Sequence, residues 1–208
     1  MQSGWQLGYP LRLKIHYLRI MYGMVNKAVQ ELITHEFGES QWLQVRQMAG
    51  VEDEMFVSTE PYPDEITYRL VGAAAEALGL PAAHILERLG RWWVLKTAQQ
   101  GYGHLMKAGG RNLPEFLVNL PNFHTRLEMM YPDLKPPEFA CTDILPGSLK
   151  LHYRSHRKGL APFVTGLLMG LGEMFSTPVQ VRHEAMYEGE DTYHVFHVAW
   201  NPPSDNAL

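Results

Sequence analysis

The chain has 208 residues, 46 % of them apolar and 19 % charged, with a formal net charge of −4. That length suits one large domain with a sizeable core, and the acidic balance argues against a direct nucleic-acid partner, whose protein footprint would be basic. The single cysteine, Cys141, excludes an intrachain disulfide and fits a reducing compartment, the cytoplasm on the simplest reading.

Residues 1–20 carry Arg12, Lys14 and Arg19 among Leu11, Leu13, Ile15 and Leu18, which is neither the continuous apolar run nor the cleavage site of a secretory signal. They read as an N-terminal extension, with a domain over 21–200 and a short tail over 201–208. From Tyr22 to Phe37, Val25, Val29, Leu32 and Ile33 recur at helical spacing and Gly38 is a natural stop. Ser40 is the expected cap of a second helix buried through Trp42, Val45 and Met48. Glu52 to Pro63, acidic and proline-punctuated, reads as a surface loop.

Asp64 is placed to cap a third helix with Ile66, Leu70, Ala73, Ala74 and Leu78 as its stripe and Gly79 at its end. Pro81 opens a fourth, whose broad apolar face carries Ile85, Leu86, Leu89, the adjacent Trp92 and Trp93, and Leu95. Asn112 followed by Glu115 reads as a capping-box variant for a helix to Tyr131, buried through Phe116, Leu120, Phe123, Leu127 and Met130. His124 lies on its apolar side. Spacing alone leaves that imidazole two roles, a core histidine bonded to a carbonyl or a metal ligand in a dry pocket. The other histidines form no close-spaced sets with carboxylates or the cysteine, and one nitrogen cannot build a tetrahedral zinc site, whereas haem needs only one axial ligand from the protein.

Pro136-Pro137 stiffens the approach to Leu149–Leu160, where an extended chain would put Tyr153, Ser155 and Arg157 on one face. A phenol, a hydroxyl and a guanidinium in a row suit carboxylates, with Arg157 as the main anchor through its planar fork. Spacing alone equally allows an ordinary amphipathic strand. A glycine-rich helix then runs from about Leu160 to Phe175; its dozen or so apolar residues are too few for a membrane span. The tail alternates as strands do, through Val179, Val181 and His183 and again from Val195 to Trp200. The fold class expected is α+β, a helical N-terminal part followed by a small antiparallel sheet with a helix packed on it.

The Tyr153-x-Ser155-x-Arg157 pattern, with His124 lying 29 residues before Tyr153, resembles the haem-nitric oxide/oxygen-binding (H-NOX) family. So do Met21-Tyr22-Gly23-Met24-Val25-Asn26-Lys27, Leu70-Val71-Gly72-Ala73-Ala74, Gly101-Tyr102-Gly103, Leu113-Pro114-Glu115-Phe116, Pro136-Pro137 and Gly159-Leu160-Ala161-Pro162. The resemblance implies haem b buried between the helices and the sheet, His124 as axial ligand of the iron, and Tyr153, Ser155 and Arg157 as a clamp on the porphyrin propionates. It makes Pro137 the residue that presses on the porphyrin and Trp93 part of the distal wall.

Oxygen-binding members carry a distal tyrosine; matching through Gly166 puts Phe163 there, and neither neighbour, Pro162 or Val164, offers a donor. The resemblance therefore implies a sensor of NO and CO that excludes O₂. With no phosphate-binding glycine loop and no cyclase or kinase segment, the chain is expected not to be an enzyme. It would signal through a separate histidine kinase or a cyclic-dinucleotide enzyme, a diguanylate cyclase or phosphodiesterase. The rival is a haem enzyme, peroxidase-like or oxygen-activating, with the same His124 ligation; that chemistry needs distal acid-base groups, which Trp93 and Phe163 are not.

Overall fold

Apolar residues at helical spacing shape the first two thirds of the chain. The computed structural model describes residues 20–52, 55–131, 134–188 and 191–201; the extension before Ile20 and the tail beyond 201 lie outside them. Strand β1 (Ile20–Tyr22) pairs antiparallel with β2 (Pro61–Pro63), a short strand within the stretch read as loop. Helices α1 (Gly23–Phe37), α2 (Glu39–Met48), α3 (Asp64–Leu78) and α4 (Ala82–Trp92) bury Val29, Leu32, Ile33, Trp42, Val45, Leu70, Ala74, Ile85 and Leu89 in one core.

Three local expectations are corrected. Gly38, at φ +92°, both ends α1 and precedes α2, so Ser40 lies inside α2 and does not cap it, and Met48 is exposed. The residue ahead of α3 is Pro63, and Asp64 is its first helical residue. Its carboxylate there still meets the positive end of the helix dipole. The helix after Pro81 does not run on evenly: Trp93–Thr97 is a π-helical turn, which leads into α5 (Ala98–Gly109). Adjacent helical residues point about 100° apart, and Trp92 packs on His35 while Trp93, which opens that turn, faces Phe163.

The Asn112 cap forms as read, its side chain accepting from the Glu115 amide at 3.0 Å, while the Glu115 carboxylate reaches one residue past the cap and accepts from the Arg111 amide at 3.1 Å. The helix it starts is nevertheless broken at Asn119 into α6 (Leu113–Val118) and α7 (Leu120–Met130), each with a proline in its first turn. The sheet has four antiparallel strands in the order β3-β4-β6-β5, namely β3 (Glu138–Leu145), β4 (Ser148–Arg154), β5 (Val179–Glu188) and β6 (Asp191–Trp200). Leu149, Leu151, Tyr153, Phe196 and Val198 bury one face of it in a second core with α5 to α7 and α8 (Ala161–Met174). The fold class is the α+β arrangement expected.

Helix α8 crosses α4 with backbone against backbone. A Cβ on Gly166 would collide with the Glu87 carbonyl, and one on Gly90 with the Phe163 carbonyl. These two absent side chains set how closely the wall carrying Phe163 approaches the turn carrying Trp93. Gly166→Ala should therefore overpack the crossing at a cost of about 1–3 kcal/mol, seen as a lower midpoint in thermal unfolding. Gly101→Ala, inside α5 where a Cβ would meet nothing within 4 Å, is the control and should leave the midpoint unchanged or raise it by a few degrees, because alanine suits a helix interior better than glycine by about 0.5–1 kcal/mol.

Candidate haem site

The two cores meet around a cavity of about 250 Å³. Its walls are apolar, with Leu86, Leu89, Val94, Ala98, Phe116, Leu120, Phe123, Leu127, Val164 and Leu168 among the lining residues. All seven residues singled out from the sequence, Trp93, His124, Pro137, Tyr153, Ser155, Arg157 and Phe163, also line it.

His124 projects from α7 because Leu120 and Leu127, four before and three after it, share its side of the helix. Its Nδ1 lies 3.0 Å from the Leu120 carbonyl. A carbonyl can only accept, so Nδ1 carries the proton and Nε2 keeps the lone pair that a metal would take. Burial holds the pKa of this imidazole below its ordinary value, against the opposing pull of the Leu120 hydrogen bond, and the ring stays neutral. Among the described residues no three of His, Cys, Asp and Glu gather as a metal site.

The row of Tyr153, Ser155 and Arg157 is assembled differently from the reading on one strand face. Strand β4 ends at Arg154, so Tyr153 alone is on it, while Ser155 and Arg157 sit in the turn that follows. The Ser155 hydroxyl accepts from the Arg157 amide at 3.1 Å, and Gly159 takes φ +79°, which reverses the chain toward α8. The turn brings all three side chains to the same cavity. Tyr153 is buried, and burial pushes its phenol pKa up, with Ser155 and the Arg157 charge opposing. Arg154 lies with its guanidinium 4.5 Å from the centroid of the Tyr193 ring.

Sequence reasoning missed two neighbours of these groups. Arg157 Nε donates to Asp64 Oδ2 at 2.9 Å and its Nη1 donates to the Lys135 carbonyl at 3.2 Å. The side chains of the ion pair are 9 % and 3 % exposed, so the pair is buried. The partners are 93 residues apart, and no local pattern links them. Tyr102, from the Gly101-Tyr102-Gly103 motif, brings a hydroxyl to the cavity, but that hydroxyl lies 2.8 Å from the Met24 sulfur. Tyr131, at the end of α7, packs edge-on against both Tyr22 and Tyr102.

An apolar cavity, one neutral imidazole on its wall and hydrogen-bond donors at its edge fit a haem-binding domain in an α+β frame. The chain belongs to the Haem-NO-binding family, whose sequence model matches residues 22–183; this is a family of haem-binding, gas-sensing domains. It is 30 % identical over 162 residues to the soluble guanylate cyclase gcy-31 of Caenorhabditis elegans, covering 77 % of this chain and 23 % of that protein. To gcy-33 of the same organism it is 32 % identical, over 74 % of this chain and 16 % of that protein. The chain thus spans about a quarter or less of these curated relatives.

Among solved structures it is similar to a point mutant of an H-NOX protein from K. algicida in the unliganded Fe(II) state, at a TM-score of 0.77 and 20 % identity, over 88 % of this chain and 98 % of that one. An H-NOX protein from S. oneidensis in the Fe(II)NO state matches at a TM-score of 0.77 and 16 % identity, over 87 % and 99 %.

The buried ion pair makes a direct prediction. Asp64→Ala removes the carboxylate that faces a buried guanidinium and should cost about 3–5 kcal/mol in urea unfolding of the haem-free protein. Replacing both residues with leucine should recover most of that loss. An Asp64→Ala midpoint equal to that of the wild type would show that the pair does not hold these elements together.

Proposed function

We propose that the domain binds haem b through His124, holds its propionates with Tyr153, Ser155 and Arg157, and senses NO and CO while excluding O₂. The observation that carries this reading is the His124 imidazole on an apolar cavity wall, its Nδ1 proton committed to Leu120, with Tyr153, Ser155 and Arg157 around the same cavity. A porphyrin needs dry walls, one axial nitrogen and donors for two carboxylates, and the residues present fit each requirement.

Selectivity rests on Phe163, which carries no donor where a distal tyrosine would place its hydroxyl. A polar Fe–O₂ unit gains about 1–3 kcal/mol from a hydrogen bond that NO hardly needs. Trp93 and Phe163 pack edge to face at 6.4 Å between centroids, and Val164, Leu167 and Leu168 continue the apolar wall. The Tyr102 hydroxyl is directed to Met24. Pro136 and Pro137 line the cavity ahead of β3, where the rigid ring of Pro137 would press on a bound porphyrin.

Bound haem would supply the iron that takes the gas, with His124 Nε2 as its ligand from the protein. An imidazole that no longer held the iron would leave α7 without that tether to the centre of the domain. The end of α7 at Tyr131 is held against Tyr22 and Tyr102, so movement of the helix reaches β1 and α5. A separate effector, a histidine kinase or cyclic-dinucleotide enzyme, reads the difference to the extent that it binds the two shapes unequally.

Absorption spectra of the ferrous protein with and without NO, CO and O₂ test the reading. His124→Gly should lose the native spectrum and regain it on addition of imidazole; an unchanged spectrum rejects His124. Arg157→Ala should release haem at least about tenfold faster than Arg154→Ala, since losing a charged hydrogen-bonding partner costs about 1.5–3 kcal/mol. Equal rates reject the clamp. The wild-type ferrous protein should form no stable O₂ complex in air, and Phe163→Tyr should admit one.

A further inference from the structure

A ring that neither the sequence pattern nor the family match assigns stands between the axial imidazole and the clamp. Phe139, on β3 two residues after Pro137, stacks on His124 with ring centroids 5.2 Å apart and planes at 28°. Its other neighbour is Tyr153, at 5.3 Å and 41°. The second contact is fixed by the sheet, because Phe139 and Tyr153 are direct cross-strand partners of β3 and β4. Phe139 lines the cavity and is packed against the core.

A histidine side chain turns about two torsions. The bond from Nδ1 to the Leu120 carbonyl restrains one edge of the imidazole and leaves rotation of its plane about that bond. Phe139 blocks that rotation by lying along the ring face, while Phe123 meets the ring only edge-on, at 87°.

We infer that Phe139 is a positioning residue for the axial ligand, setting the plane in which an imidazole at this position is presented to the cavity and linking that plane to Tyr153. This rests on the reading of His124 as the ligand. It extends that reading by assigning a residue that acts through His124 and would touch neither gas nor iron. A ring at position 139 keeps the imidazole in its seat, so it slows departure and favours return. The link to Tyr153 means that loss of the imidazole from its seat removes a support from the clamp strand.

The test uses haem-loaded His124→Gly protein with soluble imidazole as the probe, because the free ring fills the same seat without the α7 tether. Imidazole affinity is read from the Soret band in three backgrounds: Phe139, Phe139→Leu and Phe139→Tyr. Leucine should weaken imidazole by about 2- to 12-fold, the worth of one aromatic pair, and tyrosine, which keeps the ring, should stay within about twofold of phenylalanine. Unchanged affinity with leucine, or equal weakening by leucine and tyrosine, overturns the proposal. Phe139→Met replaces the leucine variant if that protein does not fold.

A second readout needs no haem. In the haem-free wild type, proton NMR should show His124 ring protons shifted upfield by the Phe139 ring, and Phe139→Leu should abolish the shift; its persistence overturns the stacking. If His124→Gly keeps the wild-type spectrum without imidazole, the ligand role itself is lost and the positioning role falls with it. Unchanged affinity in a variant that does need imidazole overturns Phe139 alone.

Discussion

The buried ion pair between Arg157 and Asp64 is the constraint on which the geometry of the site depends. Asp64 begins α3 in the first core, and Arg157 belongs to the turn that leaves β4 in the second. A guanidinium with few exposed atoms cannot satisfy its charge in water, so the turn must bring it to a carboxylate. Placing Arg157 there fixes the run from Ser155 to Leu160, and with it the side of the cavity on which polar donors gather. The remaining walls are apolar side chains from both cores, and the site is the seam between them.

Much of this was legible in the sequence because it rests on local patterns. The capping box at Asn112 and Glu115 marked the start of the helical stretch that presents His124, and the stripe of Leu120, Phe123 and Leu127 placed that histidine on the apolar side. The glycine stops at Gly38 and Gly79 held for the same reason, since both residues have positive φ. Tyr153, Ser155 and Arg157 were correctly grouped, but through a turn. Alternation continues to look strand-like past Arg154, and only Gly159 marks the reversal of the chain.

What stayed hidden depends on distance or on a change of helical period. The pairing of Asp64 with Arg157 leaves no trace in either segment. A π-helical turn at Trp93–Thr97 inserts one residue into a regular pattern, so the apolar face read from Ile85 to Leu95 does not continue evenly past Trp92. Strand β3 was missed because it follows two prolines and is largely exposed along its length, without the clean alternation of a half-buried strand. Phe139 was missed with it. Asn119 carries helical-looking neighbours on both sides, and the break there shows only in the proline at the second position of α7.

The crossing of α4 and α8 at Gly90 and Gly166 sets main chain against main chain beside the cavity wall that Trp93 and Phe163 help form. Side chains can hop between rotamers and let a wall breathe, but hydrogen-bonded helical backbone in direct contact has nothing to rotate. That crossing is stiff, and the spacing of the two helices does not adjust by small steps. The cavity wall can be retuned through the side chains of Trp93 and Phe163, whereas positions 90 and 166 fix the distance between the helices behind them.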